Sequence, residues 1–291
     1  MNSPALIILA AGRARRYGGV KPLAPIGPNG EAVIDLLGSD AIEAGFSPIV
    51  LVLGKETGPQ IRHHVETSWP SAVDVRFCIQ ERPRGTVDAV LAAVESVNKA
   101  TPFAVANADD LYGLAALKTL RAHLERSSNS AVVGYRLDQV VLGTAPVTRG
   151  VCEDDGSGRL SSVTERKQVT RDGDRFSSSD GLAPAQLDPR SLVSMNLWGF
   201  VPEMWAELRK AMEAKPSASE EVEALLPDLI ASLIARAKGG EESAVTSFAM
   251  LACEEACVGV THPEDLGIVQ LAVLDQVAAG IRKASTFNSV G

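Results

Sequence analysis

Short apolar runs alternate with segments of helical spacing along the first half of the chain. Ala5–Leu9 (ALIIL), Pro48–Leu53 (PIVLVL) and Phe103–Ala106 (FAVA) are apolar at successive positions and bounded by small or polar residues. Strands buried on both faces have this pattern. Val73–Ile79 (VDVRFCI) alternates and also predicts a strand. Between them, Glu31–Ala44 puts Ile34, Leu37, Ala41 and Ile42 on one helical face. Glu56–Thr67, Thr86–Val97 and Leu114–Leu124 read as further helices. Repeated strand–helix units predict an α/β fold, a Rossmann-like three-layer sandwich with a mostly parallel central sheet. Ligands of such sheets lie beyond the carboxyl ends of the strands, which gathers the loops after Leu9, Ile79 and Ala106.

The second half changes character. Ala131–Arg136 predicts a strand, and Val147–Val151 and Leu160–Glu165 bracket DDGSG as a hairpin. Asp172 to Pro189 reads as a mobile polar loop, Leu192–Phe200 as a strand and Pro202–Ala214 as a helix. Glu220–Ala237 predicts an amphipathic helix kinked at Pro227. Val245–Leu251 and Ala256–Val260 predict short strands. Pro263–Ile281 predicts a closing helix capped by Thr261, with a frayed tail from Arg282. No linker is visible. The expectation is one domain over 1–291, with an α/β half at about 1–130 and a remainder, about 131–291, that holds a small β-rich insertion and a helical C-terminal part.

Composition narrows the partners. The chain has 291 residues and a formal net charge of −8. An acidic chain argues against nucleic acid and membrane surfaces as partners, since both call for a basic face. No run of eighteen apolar residues occurs, and the four cysteines are scattered. Cys253 and Cys257 read as buried thiols rather than a metal site. A cytoplasmic, reducing location is the expectation.

Against that acidic background the first loop stands out. The strand at Leu6–Leu9 runs into Ala10, Ala11, Gly12 and Ala14, interleaved with Arg13, Arg15, Arg16 and then Lys21. Small residues let backbone N–H groups approach an anion, and the cations neutralise it, so this is a candidate phosphate seat. The glycines and Pro22 interrupt any helix, which excludes a dinucleotide fingerprint. The absence of Gly-Lys-Ser/Thr excludes a P-loop. LAAGRARRYGGVKPL resembles the signature of the sugar-phosphate nucleotidyltransferases, L-A-A-G-x-G-x-R followed by K-P. That family joins a nucleoside triphosphate to a sugar 1-phosphate, releasing pyrophosphate. The resemblance implies that Arg16 and Lys21 handle the pyrophosphate and that Ala10, Ala11, Gly12 and Arg13 contact the nucleotide. Ala14 stands where the family usually has Gly.

Three further segments follow in the family's order. Gln80-Glu-Arg-Pro-Arg-Gly85-Thr86 can be a helix cap, but its spacing resembles the family's base-reading element, with Gln80, Gly85 and Thr86 at the base. Ala106-Asn-Ala-Asp109-Asp110 puts two carboxylates at the end of an apolar strand, an arrangement that is unfavourable without a bound cation. Mg²⁺ suits such hard oxygens, and the resemblance makes Asp109 its ligand, with Asp110 an alternative helix cap. Val-Thr-His-Pro-Glu-Asp265-Leu can be a plain helix start. It also resembles the closing motif of cytidylyltransferases, in which Asp265 is the second metal carboxylate.

In the second half, Gly150, Glu165, Lys167 and Asn196 resemble the family's acceptor-binding positions. Glu and Asn read hydroxyls, and Lys can hold a phosphate. The reaction implied is transfer from UTP or dTTP to a sugar 1-phosphate with Mg²⁺. Two alternatives stay open: a cytidylyltransferase acting on an alditol phosphate, and a non-catalytic nucleotide-binding regulator. The oligomeric state is not readable from the sequence.

Overall fold

The structure, a computed structural model, describes residues 3–12, 18–214, 223–260 and 263–288. In chain order the elements are β1 (Ala5–Ala10), α1 (Val33–Ala44), β2 (Ile49–Leu53), α2 (Gly58–Ser68) and β3 (Val75–Ile79). Then come α3 (Thr86–Ala92), β4 (Phe103–Asn107), β5 (Asp110–Leu111), α4 (Leu114–Arg126) and β6 (Ser130–Arg136). The insertion holds β7 (Val147–Asp154), β8 (Leu160–Asp172), β9 (Arg175–Ser178) and β10 (Gln186–Leu187). The chain closes with β11 (Leu192–Phe200), α5 (Met204–Glu213), α6 (Leu226–Lys238), β12 (Phe248–Cys253), β13 (Val258–Gly259) and α7 (Leu266–Ala278).

Among the described residues, eleven strands form one sheet in the order β10-β9-β8-β7-β11-β4-β1-β2-β3, with β6 joined to β11 and β12. The pairs β1–β2, β1–β4 and β2–β3 are parallel. This parallel block is the predicted Rossmann-like centre, and β11 joins it antiparallel through β4. Alternate residues of β1 face opposite layers. Leu6 and Ile8 pack with α1, α2 and α4, whereas Ile7 packs with α3, α5 and α6. A strand buried on both faces has no polar side to alternate, which is why its sequence is uniformly apolar.

Several elements depart from the sequence expectations. Helix α3 ends at Ala92, and a separate tight turn, Val94–Ser96, follows. The loop expected from Asp172 to Pro189 contains β9 and β10. Arg166 fixes it: its guanidinium donates to both carboxylate oxygens of Asp180 and to the Leu182 and Pro184 carbonyls. Helix α6 is not kinked at Pro227, because that proline lies in its first turn, where the missing N–H has no intrahelical partner to lose. The tail from Arg282 to Asn288 is docked rather than frayed. Arg282 pairs with Asp40 at 2.8 Å, and Phe287 lies 5.1 Å from Trp69 between ring centroids. Asp110 does not cap α4. Gly113 precedes that helix without a side-chain cap, and the Ala115 N–H reaches the Glu255 carboxylate. The expected Thr261 cap lies outside the described residues.

Candidate active site

The carboxyl ends of β1, β2 and β4 lie side by side, with Leu9 opposite Asn107 and Ala10 opposite Leu53. Three hollows that share lining residues open along this edge. A cleft of about 410 Å³ is lined by Ala11, Gly12, Lys55, Thr57, Gln80 and Glu81, among others. A cavity of about 150 Å³ touches Ala10, Gly12, Lys21, Ala108 and Asp109. A larger cleft of about 640 Å³ contains Lys21, Asp109 and Asp265, and beyond them Gly150, Glu165, Lys167 and Asn196. Lys21 and Asp109 line both the small cavity and the large cleft, so they stand at the junction.

The junction is built by two local devices. After β4 the chain turns at Ala108, whose N–H donates to the Leu9 carbonyl, so Asp109 emerges beside the first loop. Strand β5 then pairs with β13, setting Asp110 opposite Gly259, and the Val260 N–H donates to the Asp109 carbonyl. This two-stranded ribbon carries the chain to the turn Pro263–Asp265 and delivers Asp265 into the same cleft. Residues 156 positions apart in sequence thereby line one cleft.

Lys21 Nζ lies 3.6 Å from Asp109 Oδ2. Burial still lifts the Asp109 carboxyl above its usual range, against the pull of Lys21. Asp110 is lifted by burial and then by the charge of Asp109, while Asn107 Nδ2 donates to it at 3.0 Å. Adjacent carboxyls that resist ionisation favour a bound cation. Their hard oxygens, with Asp265 in the same cleft, fit Mg²⁺. Among the described residues no three His, Cys, Asp or Glu side chains form a metal cage of their own. A two-carboxylate site completed by phosphate oxygens needs none.

Gly150 sits opposite Glu165 on β8 and Ser194 on β11. Lys167 Nζ is 3.8 Å from Glu165 Oε1. Asn196 has φ of +64°, inside a break in the β11–β6 register between Ser194 and Trp198. That distortion aims its amide at the cleft, where Nδ2 faces Asn107 Oδ1 at 3.4 Å and Oδ1 accepts from Trp198 Nε1 at 3.0 Å.

Not every candidate lines these three hollows. Gly85 and Thr86 are turned to other work: the Gly85 carbonyl accepts from Gln80, and Thr86 Oγ1 accepts from the Leu226 N–H. Arg13 and Arg16 lie outside the described residues. Sequence reading also missed Arg149. Its guanidinium reaches the cleft without an ion-pair partner among the described residues, its Nε is buried without a hydrogen bond, and burial lowers its pKa against Asp110, Cys257 and Asp265. A charged residue inside a predicted strand was its signal. Leu225, Pro227, Asp228 and Ala231 of the α6 region line the cleft as well.

Residues 6–216 match the sequence pattern of the MobA-like NTP transferase domain. The chain belongs to this family. A curated relative, the bifunctional protein GlmU of Geotalea uraniireducens (strain Rf4), is 30% identical over 174 residues, covering 58% of this chain and 35% of that protein. The chain thus spans about a third of that relative's length. Two solved structures share the fold of the MobA-like chain. One is a UDP-glucose pyrophosphorylase complexed with UDP-glucose, with TM-score 0.65 at 17% identity, covering 95% of this chain and all of the other, 100%. The second is a candidate glucose-1-phosphate thymidylyltransferase from Bacillus anthracis, with TM-score 0.66 at 13% identity and coverage of 94% and 96%. At such identities the likeness is one of fold. No described helix is long and apolar enough to cross a membrane.

Proposed function

We propose that this MobA-like NTP transferase transfers a nucleotidyl group from UTP or dTTP to a sugar 1-phosphate, giving a nucleotide sugar and pyrophosphate. The observation that carries the reading is that Lys21 and Asp109 line both the small cavity and the large cleft. The nucleotide occupies the side of Ala10, Ala11, Gly12 and Gln80, and the acceptor the side of Gly150, Glu165, Lys167 and Asn196. The chain acts as one domain, with the halves at about 1–130 and 131–291 supplying these two sides.

The acceptor phosphate is already ionised, so its oxygen attacks the α-phosphorus directly, and the bond to the pyrophosphate oxygen breaks in line. No protein nucleophile is required. Lys21, with Arg16 of the first loop, neutralises the departing pyrophosphate. Asp109 and Asp265 hold Mg²⁺, which when bound supplies charge neutralisation at the phosphates. Glu165 and Asn196 orient the acceptor through its hydroxyls, and Lys167 holds its phosphate.

The test is a pyrophosphate-release screen of five triphosphates against a panel of sugar 1-phosphates and alditol phosphates. Turnover with UTP or dTTP and a sugar 1-phosphate is the expected result. Turnover only with CTP and an alditol phosphate, or triphosphate binding without release, refutes the reading.

A further inference from the structure

Gln80 is the polar side chain at the end of β3, and it faces the nucleotide cleft. An amide has two chemically opposite ends, and which end faces a base decides which base it can read. Here the neighbours settle the choice. Gln80 Nε2 donates to the Gly85 carbonyl at 3.0 Å and to Asp88 Oδ2 at 3.0 Å. Both partners are acceptors only, so the oxygen of the amide cannot take the place of the nitrogen. Asp88 is itself held, because Arg84 Nη2 donates to its other oxygen at 2.6 Å and only 12% of the Asp88 side chain is exposed. The Gly85 carbonyl is held as well, since it also accepts from the Ala89 N–H at 3.2 Å. Gly85 has φ of +96°, and a Cβ there would lie 2.4 Å from the Ala224 carbonyl oxygen. Both amide protons are therefore committed, and Gln80 Oε1 has no protein partner among the described residues.

We infer that Asp88 is a positioning residue for base selection: it turns Gln80 so that a carbonyl oxygen alone faces the base, and the pocket then selects bases with an imide N–H. Uracil and thymine present N3–H as a donor. Cytosine presents a bare N3 at the same place, and an acceptor facing an acceptor leaves both unpaired. The inference rests on the proposed triphosphate reading and adds a residue that does not itself touch the nucleotide.

The test compares kcat/KM for UTP and CTP with one acceptor, in the unaltered protein and in Asp88→Asn, Asp88→Ala and Gln80→Ala. Asp88→Asn offers an N–H to the amide oxygen and lets Gln80 turn over, so the UTP:CTP ratio falls at least about 10-fold. The melting temperature and the acceptor KM stay near the unaltered values, which a merely structural role for Asp88 would not allow. Asp88→Ala removes the acceptor and relaxes the ratio in the same direction. It serves alone if the asparagine variant does not fold. A ratio unchanged in a folded Asp88 variant, while Gln80→Ala abolishes it, overturns the role of Asp88. A ratio unchanged in Gln80→Ala overturns the placement of the base itself. N3-methyluridine triphosphate gives a check without any variant. It should compete with UTP at least about 10-fold more weakly than UTP itself, and equal competition overturns imide reading.

Discussion

The Leu226 N–H donates to the hydroxyl of Thr86 at 2.8 Å, across 140 residues of sequence. Thr86 opens α3, directly after the loop that carries Gln80, and Leu226 opens α6, whose first turns line the larger cleft. Backbone bonds reinforce the joint: the Ala224 N–H donates to the Arg84 carbonyl, and the Val87 N–H donates to the Ala224 carbonyl. The two sides of the site are therefore sewn together by one strip of chain. Thr86→Val removes the acceptor of a first-turn amide at nearly constant volume. A loss of about 1 kcal/mol is expected, as for a helix cap, with Thr86→Ser close to the unaltered protein. Chemical denaturation measures the loss. In steady-state kinetics the KM values for nucleotide and acceptor rise together, because the strip borders both.

Gly259 makes room for the carboxylate pair. A Cβ there would come 2.0 Å from Asp110 Oδ1 and 3.2 Å from the Asp109 carbonyl. Gly259→Ala must displace Asp110, and with it the ribbon that brings Asp109 and Asp265 to one cleft. A fall in kcat/KM of at least about 10-fold is expected, since misplacement of a site by a fraction of an ångström is felt strongly. The concentration of Mg²⁺ needed for half-maximal rate rises with it. Titrating Mg²⁺ at saturating substrates reads both effects.

Asp109→Ala tests the metal assignment. Removing a carboxylate that holds the cation forfeits several kcal/mol of charge stabilisation, at least about 100-fold in kcat. The loss should persist in saturating Mg²⁺, and near-normal turnover there would defeat the assignment. The variant should fold, because Asp109 lies in the cleft and its loss removes a half-buried carboxyl that resists ionisation.

What could be read from the sequence followed the chemistry that each part depends on. The parallel block was visible because β1, β2 and β4 are buried on both faces, and only apolar residues satisfy that. Asp109 stood out because paired carboxylates at the end of an apolar strand need a reason, whereas Asp265 was visible only through the resemblance of its motif. Strands β9 and β10 were hidden, since Arg166 and Asp180, 4% and 6% exposed, hold that segment in place of an apolar pattern. The work of Thr86 was equally hidden. Its spacing suggested a base contact, and only the fold shows which amide its hydroxyl meets. Arg149 carries no motif, and only the fold shows that its charge borders the cleft. The tail looked frayed because its anchors, Trp69, Asp40 and Ser39, are more than 200 residues away in sequence.

That tail supplies a pH dependence. Arg282 Nη1 faces Asp40 Oδ2 at 2.8 Å, Lys283 pairs with Glu43 at 2.7 Å, and the Phe287 N–H donates to Ser39 Oγ. Burial nevertheless outweighs Arg282 and raises the Asp40 pKa from 3.8 to about 6, with Glu43 and Glu255 pushing the same way. An acid whose folded pKa lies above its unfolded value binds more protons folded than unfolded between the two. The contribution of Asp40 to stability is therefore greatest below pH 3.8, declines as pH rises through about 6, and is level beyond that. The full swing is on the order of 3 kcal/mol. Other carboxylates titrate in the same window, so the informative quantity is a difference. Unfolding free energies of the unaltered protein and Asp40→Asn, measured by urea from pH 4 to about 7, should diverge in slope, with the variant lacking this downward component. Parallel curves would show that Asp40 stays ionised throughout and that Arg282 dominates the joint.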